Sequence, residues 1–343
     1  MEFDHFLINN YWHLIGHRNE FPNHGDFFKI KTIIGDVVVF NDFGQIKVFD
    51  NKCPHRGALI YSENIGTRPL TCQYHGWSYI NGKVIVPNAF DFIECDIDQA
   101  NLNLYKIEWC GDFVFFSVSP LDDLYTQLGD SAEILENISF NINSNIDLNQ
   151  YEYECYWPIA IENALEPYHI SLIHPQSLDL LNLQKGKNIF LKNNSIWYSE
   201  IGNKRIHKQL TTLKHLFEID YSYDGYMSLY LFPFSMISST FGFSYSLQNF
   251  FPLTEDQTKT SFNSRLLIAN TKSKEASQIL SSFFDSTKMI NQKVFEEDHF
   301  ICRNVPKSSW SNKKLKFPND LEIKVDHFRE SCRDANKLIE KEK

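Results

Sequence analysis

Two short motifs decide how the first part of this chain folds: Cys53-Pro54-His55-Arg56-Gly57 and Cys72-Gln73-Tyr74-His75-Gly76-Trp77. Each motif supplies one cysteine and one histidine, separated by one residue in the first motif and by two in the second. Each also contains Gly or Pro, which favour tight loops. A thiolate and an imidazole on each of two neighbouring loops can hold one inorganic centre between them.

The residues around these motifs predict β-structure from about 28 to 118. Strand-like runs alternate with turn signals, and Asn81-Gly82 is a strong hairpin signal. Several short strands joined by tight turns predict a small antiparallel barrel or sandwich. The paired runs are Val37–Phe40 with Ile46–Phe49, Ser78–Ile80 with Lys83–Val86, and Leu104–Ile107 with Phe113–Val118.

Two inorganic centres suit the donors Cys53, His55, Cys72 and His75. One is a tetrahedral Zn²⁺ with two cysteine and two histidine ligands. The other is a Rieske [2Fe–2S] cluster, in which two cysteines hold one iron and two histidines hold the other. Zinc fingers usually pair Cys with Cys and His with His and continue into a helix, whereas each loop here is mixed and lies among strands. The pattern therefore favours the cluster, with zinc as the alternative.

Length and composition limit the remaining classes of protein. The chain has 343 residues and a net charge of −10, which argues against nucleic acid or an anionic membrane as partner. No apolar run is long enough to span a membrane, and the acidic N-terminus does not resemble a secretory signal. Seven cysteines, an odd number, predict reduced thiols in the cytoplasm rather than a disulfide framework.

The length also favours two domains. Between Ser119 and Gln150 the β-rich pattern gives way to an asparagine-rich stretch, Asn141–Asn149. We therefore predict one domain over 1–120 and a second over 121–343, with the alternative that 1–30 packs on the second. The second half predicts an α+β domain, with helices at Ile159–Ile173, Ser273–Phe295 and Leu321–Lys341 and strands within 187–199, 226–250 and 259–269.

A second group of candidate ligands lies in the segment Glu162–Pro175. Its histidines, His169 and His174, are five residues apart, which is about 140° around a regular helix. They can meet at one metal only if the helix is distorted between them or ends near His174, and Pro175 fits an ending. Taken alone, the segment is equally compatible with two unrelated histidines.

The two cysteine–histidine motifs resemble the cluster loops of the Rieske non-haem iron oxygenases, and Asn9–Trp12 resembles the entry to their Rieske domain. The resemblance implies that Cys53 and Cys72 bind the buried iron and that His55 and His75 bind the outer one. It also implies an α+β fold with an N-terminal all-β Rieske domain. The C-terminal catalytic domain would be helix-grip-like, with an antiparallel sheet and helices.

The segment from Asn163 to His174 resembles the N-x2-[DE]-x2-H-x4-H motif of the same family. The resemblance implies that His169, His174 and Asp298 bind a mononuclear Fe(II), with Asn163 near that iron. Glu166 would link a Rieske histidine of one subunit to a mononuclear-iron histidine of its neighbour in a ring-shaped trimer. A Glu at this place is similar to the carnitine-type monooxygenases.

The implied function is that of a terminal oxygenase, which uses O₂ to hydroxylate a small organic molecule, with possible demethylation or C–N cleavage. Electrons would come from a separate NAD(P)H-dependent reductase carrying flavin and an iron–sulfur centre, or from a ferredoxin with its reductase. The alternatives are an aromatic-ring dioxygenase and a Rieske electron carrier without mononuclear iron. The strands between 232 and 251 are expected to supply the pocket walls, and the residues that are candidates for an apolar cavity or an aromatic cage for an ammonium group are Phe232, Phe234, Met236, Phe241, Phe243 and Tyr245. At a two-residue period about half of them should face the core instead, so none is singled out as substrate-binding.

Overall fold

The computed structural model describes residues 2–80, 83–92 and 97–341. Its strands are β1 (His13–His17), β2 (Asp26–Thr32), β3 (Gly35–Asp42), β4 (Gln45–Asp50), β5 (Ile65–Thr67), β6 (Ser78–Ile80), β7 (Lys83–Ile85), β8 (Lys106–Cys110), β9 (Phe113–Ser117), β10 (Ile142–Tyr153), β11 (Lys187–Leu191), β12 (Asn194–Ser199), β13 (Phe217–Glu218), β14 (Tyr226–Leu231), β15 (Ser235–Thr240), β16 (Ser244–Pro252) and β17 (Thr260–Thr271).

The helices are α1 (Phe3–Asn10), α2 (Leu124–Leu128), α3 (Ser131–Asn141), α4 (Trp157–Leu165), α5 (Ile170–Ile173), α6 (Lys204–Lys214), α7 (Lys274–Cys302) and α8 (Ile323–Lys341). The mixture confirms the predicted α+β class. Among the described residues, none of these helices combines the length and the apolar character that a bilayer crossing requires.

The N-terminal strands form small antiparallel sheets. One has the order β4-β3-β2-β5, a second pairs β6 with β7, and a third has the order β1-β9-β8. The predicted hairpins are confirmed, with Asp42 opposite Gln45 in one and Cys110 opposite Phe113 in another. The strands on either side of Asn81-Gly82 also pair, although these two turn residues lie outside the described part of the chain.

The C-terminal part is built on one antiparallel sheet of eight strands, in the order β10-β17-β16-β15-β14-β12-β11, with β13 also paired to β17. Its longest pairing joins β10 to β17 over the full length of β10. The asparagine-rich stretch Asn141–Asn149, which follows the predicted boundary between residues 120 and 121, therefore lies in a strand except for Asn141, the last residue of α3. Asparagine has a low strand propensity, and a partner more than one hundred residues away outweighs it here.

The helix predicted over Ile159–Ile173 is wrong as a single element. The structure has two helices, α4 and α5, separated by four residues. The break falls at Glu166 and Pro167, because proline has no N–H to donate and its ring clashes within a helix. The Glu166 Oε2 atom accepts the backbone N–H groups of Tyr168 and His169, which stabilises the break.

The N-terminal helix α1 packs against the C-terminal half rather than against the small sheets alone. Asp4 on this helix is 1% exposed, and its Oδ1 atom accepts hydrogen bonds from Tyr156 Oη and Trp157 Nε1, both at 2.9 Å. Contacts between α1 and α8 extend the same interface. The beginning of the chain is thus held to α4, which carries one side of the site described next.

Candidate metal centres and the adjoining cavity

The two cysteine–histidine loops have the same backbone conformation. In each loop a glycine N–H donates to the carbonyl of the cysteine, from Gly57 to Cys53 and from Gly76 to Cys72, both at 2.9 Å. Both glycines have φ of +73°, a backbone conformation that residues other than glycine rarely adopt. The loops therefore present their cysteine and histidine side chains in equivalent ways.

The thiols lie inside and the imidazoles lie towards the surface. Cys53 and Cys72 are 2% and 1% exposed, whereas His75 is exposed and His55 is half-buried. The two imidazole rings are 4.7 Å apart between centroids. The Nδ1 atom of His55 is buried without a hydrogen-bond partner among the described residues, so it is available to a metal. This donor set fits a cluster with one buried and one outer iron.

The spacing of these donors argues against a single zinc ion. Around a tetrahedral zinc the ligand atoms are about 4 Å or less from one another. Among the described residues, three metal-ligating side chains come within 4.8 Å of one another only at His169, His174 and Asp298. The four donors of the two loops do not form such a group.

The second centre brings together the three residues that the sequence points to. The Nε2 atoms of His169 and His174 are 3.2 Å apart, and Asp298 Oδ1 lies 3.0 Å from His174 Nε2 and 3.6 Å from His169 Nε2. His169 immediately precedes α5 and His174 immediately follows it. On a continuous helix these two histidines would point about 140° apart. Because α5 has only four residues and each histidine lies just outside one of its ends, both side chains can face the same point.

Further side chains orient these three residues. The His169 Nδ1 atom lies 2.7 Å from Glu166 Oε1, and the His174 Nδ1 atom lies 2.8 Å from Glu297 Oε2. Asn163 donates to Asp298 Oδ1 at 2.7 Å. A carboxylate on the outer nitrogen fixes the ring and leaves Nε2 to face a metal. Asn163 and Glu166 are predicted site residues, whereas Glu297 is not.

The electrostatics of the site favour a cation. Two imidazoles lie among three carboxylates, those of Glu166, Glu297 and Asp298. Burial lowers the pKa of His169, but Asp298 and Glu166 outweigh it and raise that pKa to about 9. Burial raises the pKa of Asp298, but hydrogen bonds from the two histidines outweigh it and hold that pKa below its usual value. A divalent metal ion would replace the proton that these carboxylates attract.

A cavity of about 720 Å³ adjoins this centre. The cavity and the smaller space at the three candidate ligands share the lining residues Leu178, Tyr226, Gln248, Val294 and Phe295. Of the six candidates from 232–251 only Met236 lines either space, so five face away from it rather than the half that a two-residue period predicts. The two-residue period of β15 and β16 turns small polar residues towards the cavity instead: Ser238, Thr240, Ser244, Ser246 and Gln248.

The excluded aromatic residues pack in the hydrophobic cores. Phe232 and Phe234 belong to the core around α4 and α8, and Phe241 and Phe243 belong to the core around α6 and α7. Tyr245 faces the opposite side of the sheet. The sequence signal was available in the alternation of serine with larger residues, but a single strand does not reveal which of its faces lines a cavity.

Sequence reasoning also missed Glu297 and its partner Ser177. The Ser177 Oγ atom donates to Glu297 Oε2 at 2.9 Å, the same oxygen that lies beside His174. The adjacent acidic residues Glu296, Glu297 and Asp298 give a signal, but their sequence does not separate their roles. In α7 the side chains of Glu297 and Asp298 both reach His174, while Glu296 is exposed.

Each half of the chain matches a known protein family. Residues 11–91 match the Rieske [2Fe-2S] domain, and residues 145–337 match the ring hydroxylating alpha subunit (catalytic domain). The chain belongs to the family of ring-hydroxylating oxygenase alpha subunits, the Rieske non-haem iron oxygenases. The family binds a Rieske [2Fe–2S] cluster and a mononuclear iron, and both donor sets described above fit these groups.

Two curated relatives illustrate the breadth of this family. The chain is 26% identical over 196 residues to the toluate 1,2-dioxygenase alpha subunit of Pseudomonas putida, covering 51% of this chain and 41% of the relative. It is 26% identical over 182 residues to the carnitine monooxygenase oxygenase subunit of Acinetobacter pittii, covering 51% and 49%. The matched segment spans about half the length of these relatives.

Solved structures share the fold along nearly the whole chain. A quaternary ammonium Rieske monooxygenase in complex with L-carnitine matches with a TM-score of 0.72 at 17% identity, covering 97% of this chain and 90% of that one. Naphthalene 1,2-dioxygenase from Rhodococcus sp. matches with a TM-score of 0.72 at 16% identity and the same two coverages. These similarities show the fold, and they include both monooxygenases and dioxygenases.

Proposed function

We propose that this chain is the terminal oxygenase component of a multicomponent Rieske oxygenase and hydroxylates a small organic molecule. The reaction R–H + O₂ + 2 e⁻ + 2 H⁺ → R–OH + H₂O inserts one oxygen atom into a C–H bond. Where the hydroxylated carbon is bonded to oxygen or nitrogen, that bond would then break and the carbon would be released as an aldehyde or ketone. The observation that carries the proposal is the convergence of His169, His174 and Asp298 beside a large cavity.

We assign the ligands as the sequence predicts. Cys53, His55, Cys72 and His75 would hold the [2Fe–2S] cluster, and His169, His174 and Asp298 would hold the mononuclear iron, which supplies open positions for O₂ activation. The chain's own residues then have separate tasks. Glu166 and Glu297 orient the two imidazoles, Asn163 orients the Asp298 carboxylate, and the adjoining cavity positions the organic molecule.

We further propose that electrons pass between subunits of a homotrimer, from His75 of the partner subunit to Glu166 and His169. The observation that supports this route is exposure at both ends. His75 and Tyr74 are exposed on the cluster loop, and Tyr168 and Leu172 are 61% and 82% exposed beside the mononuclear centre. No hydrogen bond among the described residues joins His75 to Glu166 within one chain. A second copy would cover the exposed apolar side chains.

The electron donor would be a separate reductase using NAD(P)H, or a ferredoxin with its reductase, because the chain shows no dinucleotide-binding glycine motif. We place the reaction in the cytoplasm. The six described cysteines are free and buried, which agrees with a reducing compartment.

Metal analysis tests the proposal directly. The protein is purified anaerobically, and iron, acid-labile sulfide and zinc per chain are measured, with an EPR spectrum after dithionite reduction. We expect about three irons and two sulfides per chain and a Rieske-type signal. Two irons with no third regained on adding Fe(II) would leave an electron carrier, and one zinc without sulfide would contradict the oxygenase.

Aromatic-ring dioxygenation is the second candidate function, because the relatives include toluate 1,2-dioxygenase as well as monooxygenases. The two reactions differ in how many atoms of one O₂ molecule enter the product. Turnover under ¹⁸O₂ followed by mass spectrometry of the product separates them. One labelled oxygen atom supports monooxygenation, and two on adjacent carbons support dioxygenation.

A further inference from the structure

A buried lysine lies behind the cavity wall next to the mononuclear centre. Lys324, in the first turn of α8, is 2% exposed. Its Nζ atom donates to the backbone oxygen of Ser228 at 3.3 Å and to Ser228 Oγ at 3.4 Å. No carboxylate of the described residues lies within 4.0 Å of it, so this amine has no counter-ion inside the protein.

An isolated ammonium group in such a place is costly. Transferring it from water costs several kcal/mol unless a partner compensates. Burial lowers the pKa of Lys324 to about 7, because nothing nearby favours the charged form. An oxygen acceptor or an anion that entered the adjoining space would offset this cost.

Ser228 connects the lysine to that space. Its side chain lines the same small cavity as His169, His174 and Asp298. Because Ser228 Oγ accepts a hydrogen bond from Lys324, its own O–H is left to donate elsewhere. Among the described residues it finds only the thioether sulfur of Met236, at 3.7 Å. Thioether sulfur is a weak acceptor, so Ser228 is an under-used donor beside the reacting position.

The polar strip continues away from Ser228 along the sheet. Ser228 lies opposite Ser238 on β15, and Ser238 lies opposite Ser246 on β16. Neighbouring strands are about 4.8 Å apart, so the three hydroxyl groups span about 10 Å. The opposite wall, from α6 and α7, carries apolar side chains such as Leu213, Phe283 and Ile290 beside polar ones such as Gln209, Thr287 and Asn291. The cavity is therefore amphipathic, with a row of hydroxyl groups along the sheet and most of its apolar side chains on the helices.

The charges along the cavity disfavour a cationic ligand. Among the described residues that line the large cavity, Lys208 is the one charged side chain. At the metal end the carboxylates are Glu166 and Asp298, and both already lie against histidines. A quaternary ammonium group would thus find no uncommitted carboxylate and would lie close to Lys324.

We propose that the substrate of this enzyme is an apolar molecule with an oxygen acceptor, a carbonyl or a carboxylate, which accepts a hydrogen bond from Ser228 with Lys324 behind it. This inference rests on the proposed function and names its substrate class. The same groups select against quaternary ammonium compounds. Ser228 and Lys324 thereby act as specificity-determining residues rather than as ligands of either metal.

Binding of three matched probes tests the inference. The probes are 4-isopropylbenzoate, 4-isopropylacetophenone and 4-isopropylphenyltrimethylammonium, which share one body and differ in their head group. Calorimetric titration uses the purified protein with its metal centres and no reductant, so no turnover occurs. We expect the carboxylate and the ketone to bind at least about tenfold more tightly than the ammonium probe. Equal or tighter binding of the ammonium probe would overturn the inference, and so would a failure of all three to bind below 1 mM.

Two variants locate the effect. In Lys324→Met the carboxylate probe should bind about tenfold or more weakly, and in Ser228→Ala both acceptor probes should lose affinity by about three- to tenfold. Lys337→Met, at an exposed position of the same helix, should bind all probes as the parent does. Unchanged carboxylate binding in both site variants, with their folds intact by circular dichroism, would contradict the inference.

Failure of the proposed substrate class can be distinguished from failure of the proposed oxygenase function. Binding without reduction does not require oxygen chemistry, so the substrate class can be supported while the chain proves inactive as an oxygenase. Conversely, iron and sulfide analysis can support the oxygenase while the ammonium probe binds best. The second result would reject only the role given to Ser228 and Lys324.

Discussion

At the scale of single residues, Asp298 is the ligand that separates an oxygenase from an electron carrier. We expect Asp298→Ala to lose the mononuclear iron while keeping the cluster, because its carboxylate contacts both histidines. Iron analysis should fall from about three to about two per chain with the sulfide content unchanged. Glu296→Ala removes the exposed acidic residue two positions earlier and should keep all the iron; equal iron loss in both variants would show that the effect is not ligation.

Glu297 offers a test of orientation rather than of ligation. Glu297→Gln keeps a side chain that can reach His174 Nδ1 but removes the charge that fixes the ring. We expect Fe(II) to bind about 10- to 100-fold more weakly, as happens when the outer partner of a metal-bound histidine is changed. Competition with a chelator measures this affinity, and Glu296→Gln is the control. An affinity within twofold of the parent would remove Glu297 from the site.

Lys324 makes stability depend on pH in a direction opposite to that of most buried acids. Its pKa falls from 10.5 to about 7 on folding, so the unfolded chain binds the proton more tightly. The folded state is therefore penalised fully below pH 7, and the penalty fades as the pH rises from 7 to 10.5. Lys324→Met should be more stable than the parent near pH 6, by about 5 kcal/mol at most.

Urea unfolding of both proteins at pH 6 and pH 9.5 measures this difference, which should shrink at the higher pH. Titratable groups on the two elements that Lys324 joins, α8 and β14, do not produce the same pH dependence. Burial lowers the pKa of His327 on α8 and raises the pKa of Tyr226 and Tyr230 on β14, so all three stay neutral across most of the range. A constant difference between pH 6 and pH 9.5 would show that Lys324 is not the cause.

At the scale of elements, the break between α4 and α5 sets where His169 lies. Glu166→Ala removes the acceptor of two backbone N–H groups at the break, whereas Glu166→Gln keeps an oxygen there. We expect Glu166→Ala to destabilise the fold by about 1–3 kcal/mol and Glu166→Gln to retain most of that stability. Both variants should bind iron more weakly, because each removes the carboxylate beside His169 Nδ1. Thermal unfolding and iron analysis measure the two effects. Equal destabilisation by the two substitutions would show that the charge of Glu166, rather than an acceptor oxygen, maintains the break.

The elements also show what a sequence can and cannot predict. Hairpins such as β3–β4 and β8–β9 depend on residues close together in the chain, so their turn signals suffice. The pairing of β10 with β17 joins residues more than one hundred positions apart, and no local pattern in Asn141–Asn149 indicates it. The same limit applies to the site: the motif points to His169 and His174, but Glu297 and Ser228 reach it only through the folding of α7 and β14.

At the scale of the whole molecule, the proposed electron route predicts complementation between two inactive variants. A Cys72→Ser chain keeps the mononuclear site but lacks the cluster, and an Asp298→Ala chain keeps the cluster but lacks the mononuclear iron. Neither variant is therefore active alone. When the two are co-expressed in one ring, a cluster of one chain can face the iron site of its neighbour. Random mixing should restore about a quarter of the parent activity, since one interface in four combines the two intact sites.

The controls for this experiment are the separate preparations mixed after purification, which exchange subunits slowly or not at all, and metal analysis of each variant. Retained cluster in Asp298→Ala and retained mononuclear iron in Cys72→Ser establish that each chain folds. Activity that stays at background in the co-expressed rings would show that electrons travel within one chain, and Glu166 would then have a purely local role.

The short hydroxyl side chains on β15 and β16 also affect how this protein could evolve. Empty space in a folded protein forgoes dispersion contacts, so the cavity is maintained at the expense of stability. Replacing one of these serines by a larger apolar residue would strengthen the fold and narrow the range of molecules admitted. A lineage with surplus stability could keep the space open and acquire new reactants, whereas one close to its unfolding threshold would be driven to fill it.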